Sequence, residues 1–396
     1  MSKRIVPLIA GSFIYLSIGL IYAWSIFVKP LEAEFGWNRT ETSLTFTISM
    51  ISFCIGGVIS GMLLKKKSGR FIIMIAAVLL AAGFMISSRV ETLGGIYISY
   101  GVFCGLGVGL AYNANISTVI RWFPDKVGLV SGILLMCFGG GGLILGSIAS
   151  SLIVSMGFRT TFVLLAITFA VILLIGGIFI KPPGENDILP EKKIKSKGSE
   201  SFGTEISTLD MLKRKSFWLY FSWSAVLTGA GLAVIGHAAV AAQDIGATVA
   251  QAALIMGIVS IFNGVGRVLV GLIFDRFGRK ISIIWSNSTM VIAFVLLLLA
   301  VSNQNITFFI MGAVVIGLAY GSIPPTNAAY VNLFYGTKNY ALNFSVMNTA
   351  IIPGSILGPL LAGAIKTATG SYFNAFAIIL GLAAVAYLLQ LVIKRP

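Results

Sequence analysis

The sequence has 396 residues, of which 57% are hydrophobic and only 10% are charged, and its mean hydropathy is +0.96. These values exclude a soluble globular protein, in which about 25% of residues are charged. The 28 Lys and Arg exceed the 13 Asp and Glu and give a net charge of +15, which in so apolar a chain indicates basic loops that fix membrane orientation and no nucleic-acid partner.

Apolar stretches of about 20 residues, separated by charges and glycines, predict an all-α membrane protein, because a helix of that length crosses the hydrocarbon core. The first stretch follows Lys3 and Arg4 and has no small-residue cleavage site, so we interpret it as a spanning helix and not as a signal peptide. Twelve spans are predicted, at residues 5–28, 43–64, 71–88, 94–121, 127–155, 158–180, 217–243, 248–274, 280–301, 306–331, 338–367 and 371–394.

Basic residues are concentrated in alternate loops, for example KKKSGR at 65–70 and RWFPDK at 121–126. Cytoplasmic loops carry the excess of Lys and Arg in membrane proteins. We therefore expect both termini to be cytoplasmic, in a multi-pass protein of the cell membrane, either an inner or a plasma membrane.

One long polar connection, residues 181–216, contains three prolines and the basic run EKKIKSKGS, with a short surface helix predicted near 209–215. It divides the chain into an N-terminal half, 1–180, and a C-terminal half, 217–396. The halves repeat one another, because GMLLKKKSGR begins 210 residues before GLIFDRFGRK and GLILG begins 212 residues before GSILG. Two pseudo-symmetric six-helix halves are typical of transporters that alternate access to a central site.

Some residues inside the spans predict contacts or bends between helices. Asn113, Asn115 and Asn327 require hydrogen-bond partners there, and interhelical bonds are the interpretation we favour over a place along the transport pathway. Breaks or thin points are predicted in three spans, at Gly139–Gly142, Pro324–Pro325 and Pro353–Gly354.

Arg267 is the one charged residue predicted in the middle of a span, about two turns, or about 12 Å, from Asp275 at the membrane surface. A charge at this depth costs at least about 2.5 to 3.5 kcal/mol, and the guanidinium does not deprotonate. Since no acidic residue is predicted at the same depth, its counter-ion is expected to be a bound carboxylate. One positive charge balances a monoanion, whereas a dianion would leave one charge unpaired. The alternative is a structural arginine that is bonded to helix carbonyls or extends its guanidinium towards the cytoplasmic surface.

His237, the only histidine, lies in the seventh span, and Asp244 lies one to two turns further along. Histidine is the side chain that ordinarily changes charge near neutral pH. The two residues are therefore candidates for proton coupling, and the alternatives for His237 are a hydrogen-bonded helix residue or a group that lines the transport pathway.

The loop between the second and third helices of the C-terminal half reads GLIFDRFGR, and it resembles the G-x-x-x-D-R-x-G-R motif of the major facilitator superfamily (MFS). The resemblance implies the MFS fold and assigns Asp275, Arg276 and Arg279 to the conformational motif. The first-half copy departs from the motif, because Lys65 stands where the Asp is expected.

Four segments resemble the oxalate/formate antiporter family, the bacterial relatives of animal monocarboxylate carriers: IYAWSIF at 21–27, RWFPDKVGLVSG at 121–132, FNGVGR at 262–267 and PPTNA at 324–328. The resemblance implies that Arg267, Tyr22, Tyr112 and Tyr320 line the substrate site, and Asn263, which shares a helix face with Arg267, is a further candidate for substrate binding. The alternative for each tyrosine is a residue that only packs within its span. Asn263, one turn before Arg267, takes the place of an Asp that serves proton coupling in the animal carriers.

The same resemblance marks three departures from oxalate transporters. Met347 stands in place of a second basic residue, Ile21 in place of a Gln, and Ile316 in place of a Trp. A pocket with these residues is more apolar and wider than an oxalate site, which favours an anion with a short apolar tail.

We therefore predict a secondary active transporter of small monocarboxylates of the lactate or pyruvate type, working by alternating access with proton coupling or by anion exchange. An oxalate/formate-type antiporter and a non-transporting anion sensor are the alternatives. An enzyme is not predicted, since no nucleophile, base and acid cluster within the spans. No cofactor is expected, and the spacing of Cys54, Cys104 and Cys137 indicates no metal site. The expected partners are a small carboxylate, a proton or counter-anion and the lipid bilayer, and the protein is expected to be a monomer.

Overall fold

The computed structural model describes residues 3–184, residue 187 and residues 205–393. All regular secondary structure in these ranges is helical. The basic run EKKIKSKGS of the predicted connection lies outside the described residues. The structure places a short helix at Thr208–Leu212, which confirms the one predicted at 209–215.

Twelve long helices make up the described spans, as predicted. They are α1, 5–35; α2, Arg39–Leu63; α3, Gly69–Ser87; α4, 93–122; α5, 127–156; α6, 158–179; α7, Lys215–Asp244; α8, 249–277; α9, 279–302; α10, Ile306–Tyr335; α11, Tyr340–Thr369; and α12, Tyr372–Val392. The largest difference from the predicted bounds is at α1, which continues to Phe35.

Two glycines separate helix pairs that are otherwise continuous. Gly157 (φ 79°) lies between α5 and α6, and Gly278 (φ 78°) lies between α8 and α9. Glycine adopts this left-handed conformation without the steric penalty of a Cβ atom. The 53-residue and 49-residue apolar stretches that contain these glycines therefore each supply two spans, since about 20 residues cross a membrane.

The predicted bends are only partly correct. α5 stays helical through Gly139–Gly142 and α10 stays helical through Pro324–Pro325, so neither element breaks these helices. The interruption in α11 falls at residues 349–350, and Pro353 lies in the first turn of the segment that follows. A proline is tolerated there because the amide that it lacks has no intrahelical acceptor.

The chain forms two compact units. Unit 1 comprises residues 1–125, 137–192 and 340–345, and unit 2 comprises residues 126–136, 193–339 and 346–396. The beginning of α5 thus packs with the helices of unit 2, and the beginning of α11 packs with the helices of unit 1. The division into halves at 1–180 and 217–396, joined by 181–216, stays a prediction.

The buried asparagines join helices within each unit, as predicted. In unit 1, Asn113 and Asn115 donate to main-chain oxygens of α2 and α1, at 3.0 and 2.8 Å. In unit 2, Asn327 on α10 donates to the Ser224 hydroxyl on α7 at 2.8 Å. Such bonds satisfy amides that hydrocarbon would leave without partners.

Helices α7 and α11 approach closely at two glycines, and this contact predicts a strong effect of one methyl group. A Cβ atom at Gly358 would lie 2.1 Å from the main-chain oxygen of Gly229. We expect Gly358→Ala to destabilise the fold by about 1 to 3 kcal/mol, as overpacking typically does, and to lower the Tm of the purified protein. Gly381→Ala is the matched control, because nothing lies within 4 Å of a Cβ atom there. Equal Tm values for the two variants would contradict this contact.

Candidate functional site

Arg267 lies in α8 and is 5% exposed. Its Nε donates to the Asn263 Oδ1 at 3.2 Å, one turn earlier on the same helix, and its Nη1 donates to the main-chain oxygen of Leu135 on α5. Among the ion pairs of the described chain, none includes Arg267. The guanidinium is therefore hydrogen-bonded by neutral groups and has no carboxylate counter-ion in the part of the chain that the structure describes.

A guanidinium carries five N–H donors, and two of those on Arg267 are engaged. One hydrogen on Nη1 and both hydrogens on Nη2 donate to no described residue. Only one of the guanidinium donors thus binds a helix carbonyl, as the alternative interpretation of a structural arginine requires. The other free donors keep the capacity to bind an anion.

Asn263 and Tyr320 add to the polar groups near Arg267 within unit 2. The Asn263 side chain accepts from Arg267 through its oxygen, and its amide hydrogens donate to no described residue. Tyr320 on α10 is partly exposed and lies close enough to Arg267 for an electrostatic interaction between them. Uncommitted donors from a guanidinium and an amide, next to a phenol, favour an anionic ligand.

Glycines bring α7, α8 and α10 close enough to form this arrangement. A Cβ atom at Gly321 on α10 would lie 2.1 Å from the main-chain oxygen of Asn263. A Cβ atom at Gly231 on α7 would lie 2.4 Å from Cδ2 of the Tyr320 ring. Because neither glycine has a side chain, α10 can pack closely against α8 at Asn263, and α7 can pack closely against α10 at Tyr320.

The other two predicted substrate contacts lie in unit 1. Tyr112 on α4 is 4% exposed, and its ring centroid lies 5.0 Å from Phe138 and 5.1 Å from Tyr15. The Tyr15 hydroxyl also donates to the main-chain oxygen of Tyr112 at 2.8 Å. Tyr22 on α1 is 42% exposed and packs its ring against Phe138 at 5.2 Å. Their contact with substrate stays a prediction.

Leu135 is the partner of Arg267 that the sequence did not indicate. It contributes a main-chain oxygen, which has no residue-specific signature. The signal nearby is Gly132, where a Cβ atom would lie 2.4 Å from the main-chain oxygen of Arg267. This glycine allows α5 and α8 to approach at the depth of the guanidinium.

Asp275 of the conformational motif binds the first turn of α5. Its Oδ1 accepts from the Gly128 amide at 2.8 Å, and its Oδ2 accepts from the Leu129 amide at 2.7 Å. Amides in the first turn of a helix lack intrahelical acceptors, and the helix dipole favours a negative charge at this end. The aspartate thereby attaches α5 to α8 within unit 2.

The two arginines of the motif have different surroundings. Arg276 lies over the Phe277 ring, 5.3 Å from its centroid. Arg279 is 9% exposed, lies 5.0 Å from the Phe334 ring centroid and donates through Nη1 to the main-chain oxygen of Ile393 at 3.4 Å. Arg279 thus joins the start of α9 to α10 and to the end of α12.

Both ring nitrogens of His237 are hydrogen-bonded. Nε2 lies 3.0 Å from the main-chain oxygen of Pro359, and Nδ1 lies 3.0 Å from the Tyr372 hydroxyl. Since a carbonyl only accepts, Nε2 donates, and in the neutral ring Nδ1 accepts from the tyrosine. Asp244 pairs with Lys366. The structure therefore places His237 and Asp244 in separate hydrogen bonds to α11 and α12, and their role in proton coupling stays a prediction.

Comparisons with known proteins identify relatives over most of the chain. The family model described as Major Facilitator Superfamily matches residues 8–242 and 221–396. The chain is 25% identical over 354 residues to the uncharacterized MFS-type transporter YhjX of Escherichia coli (strain K12), covering 89% of this chain and 86% of YhjX. It is 24% identical to the oxalate:formate antiporter of Oxalobacter formigenes (87% and 81% covered) and 23% identical to monocarboxylate transporter 2 of Homo sapiens (90% and 79% covered).

Solved structures share the fold. The MFS transporter FucP in the outward conformation aligns with a TM-score of 0.72 at 17% identity, covering 100% of both chains. The proton:xylose symporter XylE, bound to 6-bromo-6-deoxy-D-glucose, aligns with a TM-score of 0.69 at 14% identity, covering 99% of this chain and 96% of XylE. At these identities the similarity concerns the fold alone.

Proposed function

Since the chain belongs to the Major Facilitator Superfamily and is a multi-pass secondary transporter of the cell membrane, we propose that its substrate is a small monocarboxylate of the lactate or pyruvate type. The observation that carries this proposal is the buried Arg267, which has uncommitted donors and, among the described residues, no carboxylate partner. A buried charge of this kind is stabilised by a ligand of opposite charge.

The charge balance supports a monoanion. One guanidinium neutralises one carboxylate, and the nearby side chains of Asn263 and Tyr320 are an amide and a phenol, which carry no charge at neutral pH. A second carboxylate on the same ligand would have no positive partner at this site and would lose its hydration on burial. Relatives named as a monocarboxylate transporter and as an oxalate:formate antiporter support an organic carboxylate as the substrate class.

Two driving forces fit this proposal, a proton gradient and the exchange of one anion for another. Arg267 donates to Leu135 and Asn263, neutral groups that solvate its charge without neutralising it. Return of the substrate-free protein then requires movement of a buried positive charge, which favours exchange. Uptake into anion-free proteoliposomes under a pH gradient alone would establish proton symport instead.

Competition between short carboxylates tests the proposed substrate class. In proteoliposomes that take up labelled lactate, we expect unlabelled pyruvate to compete at concentrations similar to those of lactate. Oxalate should require at least a roughly ten-fold higher concentration, since a free-energy cost of about 1.4 kcal/mol for the unpaired charge is enough to lower its affinity ten-fold. Labelled acetate and formate serve as matched monoanions without the longer tail.

The opposite ranking would support the second candidate, an oxalate/formate-type antiporter, which the 24% identical relative suggests. Strong competition by oxalate, together with weak competition by lactate against labelled oxalate, would contradict the monoanion proposal. Binding without accumulation inside the vesicles would contradict transport and would favour an anion sensor.

A further inference from the structure

The beginning of α5 is attached to α8 along its length. Asp275 accepts from the Gly128 and Leu129 amides, the main chains approach at Gly132, and the Arg267 guanidinium donates to the Leu135 oxygen. All of these contacts lie within unit 2, which includes residues 126–136. The Arg267 bond is the hydrogen bond of this series furthest along α5.

The Arg267 bond lies just before a weak part of α5. Residues from Cys137 onward belong to unit 1, and the glycine run 139–142 begins one turn after Leu135. In an α-helix the Leu135 carbonyl also accepts from the amide four residues later, at Gly139. Each glycine destabilises a helix interior by about 1 kcal/mol relative to alanine, so α5 resists bending least next to this carbonyl.

A carboxylate bound to Arg267 would share a nitrogen with one of the two present acceptors. A carboxylate binds a guanidinium best through two neighbouring nitrogens. On Arg267 the pair Nη1–Nη2 shares Nη1 with Leu135, although each of these nitrogens keeps a free hydrogen, and the pair Nε–Nη2 shares Nε with Asn263. A charged acceptor forms a stronger hydrogen bond than a neutral carbonyl, so the guanidinium is expected to turn towards the anion.

We propose that the substrate carboxylate displaces the Leu135 carbonyl from Arg267 and thereby loosens α5 from α8 after Gly132. This inference rests on the proposed function and adds the coupling between substrate binding and helix movement. Arg267 then alternates between two acceptors, the α5 main chain and the substrate carboxylate. The Asp275 bonds at the start of α5 stay in place, so the loosened segment lies between Gly132 and the glycine run.

A disulfide pair reports this movement directly. A Cβ atom at Gly264 on α8 would lie 3.3 Å from Cγ of Met136 on α5, the position that Sγ takes in a cysteine at residue 136, so the two side chains of a cysteine pair would be neighbours. The test uses Met136→Cys/Gly264→Cys in a protein whose Cys54, Cys104 and Cys137 are replaced by Ser, and it measures the rate of oxidative cross-linking with and without lactate. We expect lactate to slow cross-linking at least about three-fold, the factor set by the gap between a charge-assisted and a neutral hydrogen bond. Reduction should restore uptake.

A second pair on the same helix is the matched control. A Cβ atom at Gly146 on α5 would lie 3.0 Å from Cβ of Ala23 on α1, within unit 1. Lactate should leave cross-linking of Gly146→Cys/Ala23→Cys unchanged. With Arg267→Gln added to the Met136/Gly264 pair, lactate should no longer affect the rate.

Thermal stabilisation by lactate separates this inference from the proposed function. If lactate raises the Tm and accumulates in vesicles but leaves the rate of the Met136/Gly264 pair unchanged, the coupling is wrong and the proposed function stands. If lactate neither raises the Tm nor enters vesicles, the proposed function is wrong. A pair that fails to cross-link without lactate would contradict the α5–α8 contact itself.

Discussion

Arg267→Gln is expected to reduce lactate uptake and lactate binding by about 100-fold or more, since removing one partner of a buried ion pair typically costs about 3 to 5 kcal/mol. Glutamine keeps a neutral donor on a shorter side chain and loses the charge. The variant should retain its Tm when no lactate is added. The substitution removes a buried charge that has no carboxylate partner among the described residues, and such a charge costs free energy. The measurements are uptake into proteoliposomes and the shift in Tm caused by lactate.

Two further variants make this result specific. Arg267→Lys keeps the charge and loses the planar fork, so uptake should fall to an intermediate level. Arg159→Gln is the matched control, because Arg159 pairs with Glu34 at 2.8 Å in a half-exposed position, where an ion pair contributes about 1 kcal/mol or less. Uptake by Arg267→Gln at the level of Arg159→Gln would show that the guanidinium does not bind substrate.

Asp275→Asn is expected to slow transport about ten-fold while lactate binding is retained. The carboxylate accepts from the amides of Gly128 and Leu129, and hydrogen bonds to a charged group are worth about 1.5 to 3 kcal/mol. Asparagine offers one accepting oxygen and no charge to the helix dipole. Initial uptake rates, compared with the lactate-induced shift in Tm, separate a transport defect from a binding defect.

The sequence repeat supplies the control for Asp275→Asn. Lys65 stands at the equivalent position of the first half and is exposed. Lys65→Asn should leave uptake nearly unchanged, because a side chain exposed in this way contributes little to stability. Equal losses for the two variants would indicate a general effect of the loops and would contradict a specific role for the Asp275 bonds.

Hydropathy and the repeat predicted the twelve spans, because the membrane requires about 20 apolar residues for each. They missed the end of α1, since Glu32 and Glu34 lower the hydropathy of a segment that remains helical to Phe35. The glycine run in α5 and the two prolines of α10 were poor predictors of breaks. Surrounding helices can compensate the weak backbone at such positions.

Charge placement found Arg267, and spacing of four residues along a helix placed Asn263 on the same face. The Leu135 contact could not be predicted, since a main-chain oxygen carries no residue identity and lies 132 residues away in sequence. The partners of His237 are similarly distant in sequence, since Pro359 lies 122 residues and Tyr372 lies 135 residues away. Such contacts depend on how helices pack.

Glu205, just before the short helix, accepts from the main-chain amides of Thr337 and Lys338 at 3.1 and 2.7 Å. The loop before α11 is thereby fastened to the chain that enters α7, and Gly336 leaves space for the carboxylate. Reporter domains or epitope inserts are therefore best placed before Glu205 in the sequence, where they leave its hydrogen bonds to Thr337 and Lys338 intact. Insertions between residues 205 and 214 would disturb these hydrogen bonds and the start of α11.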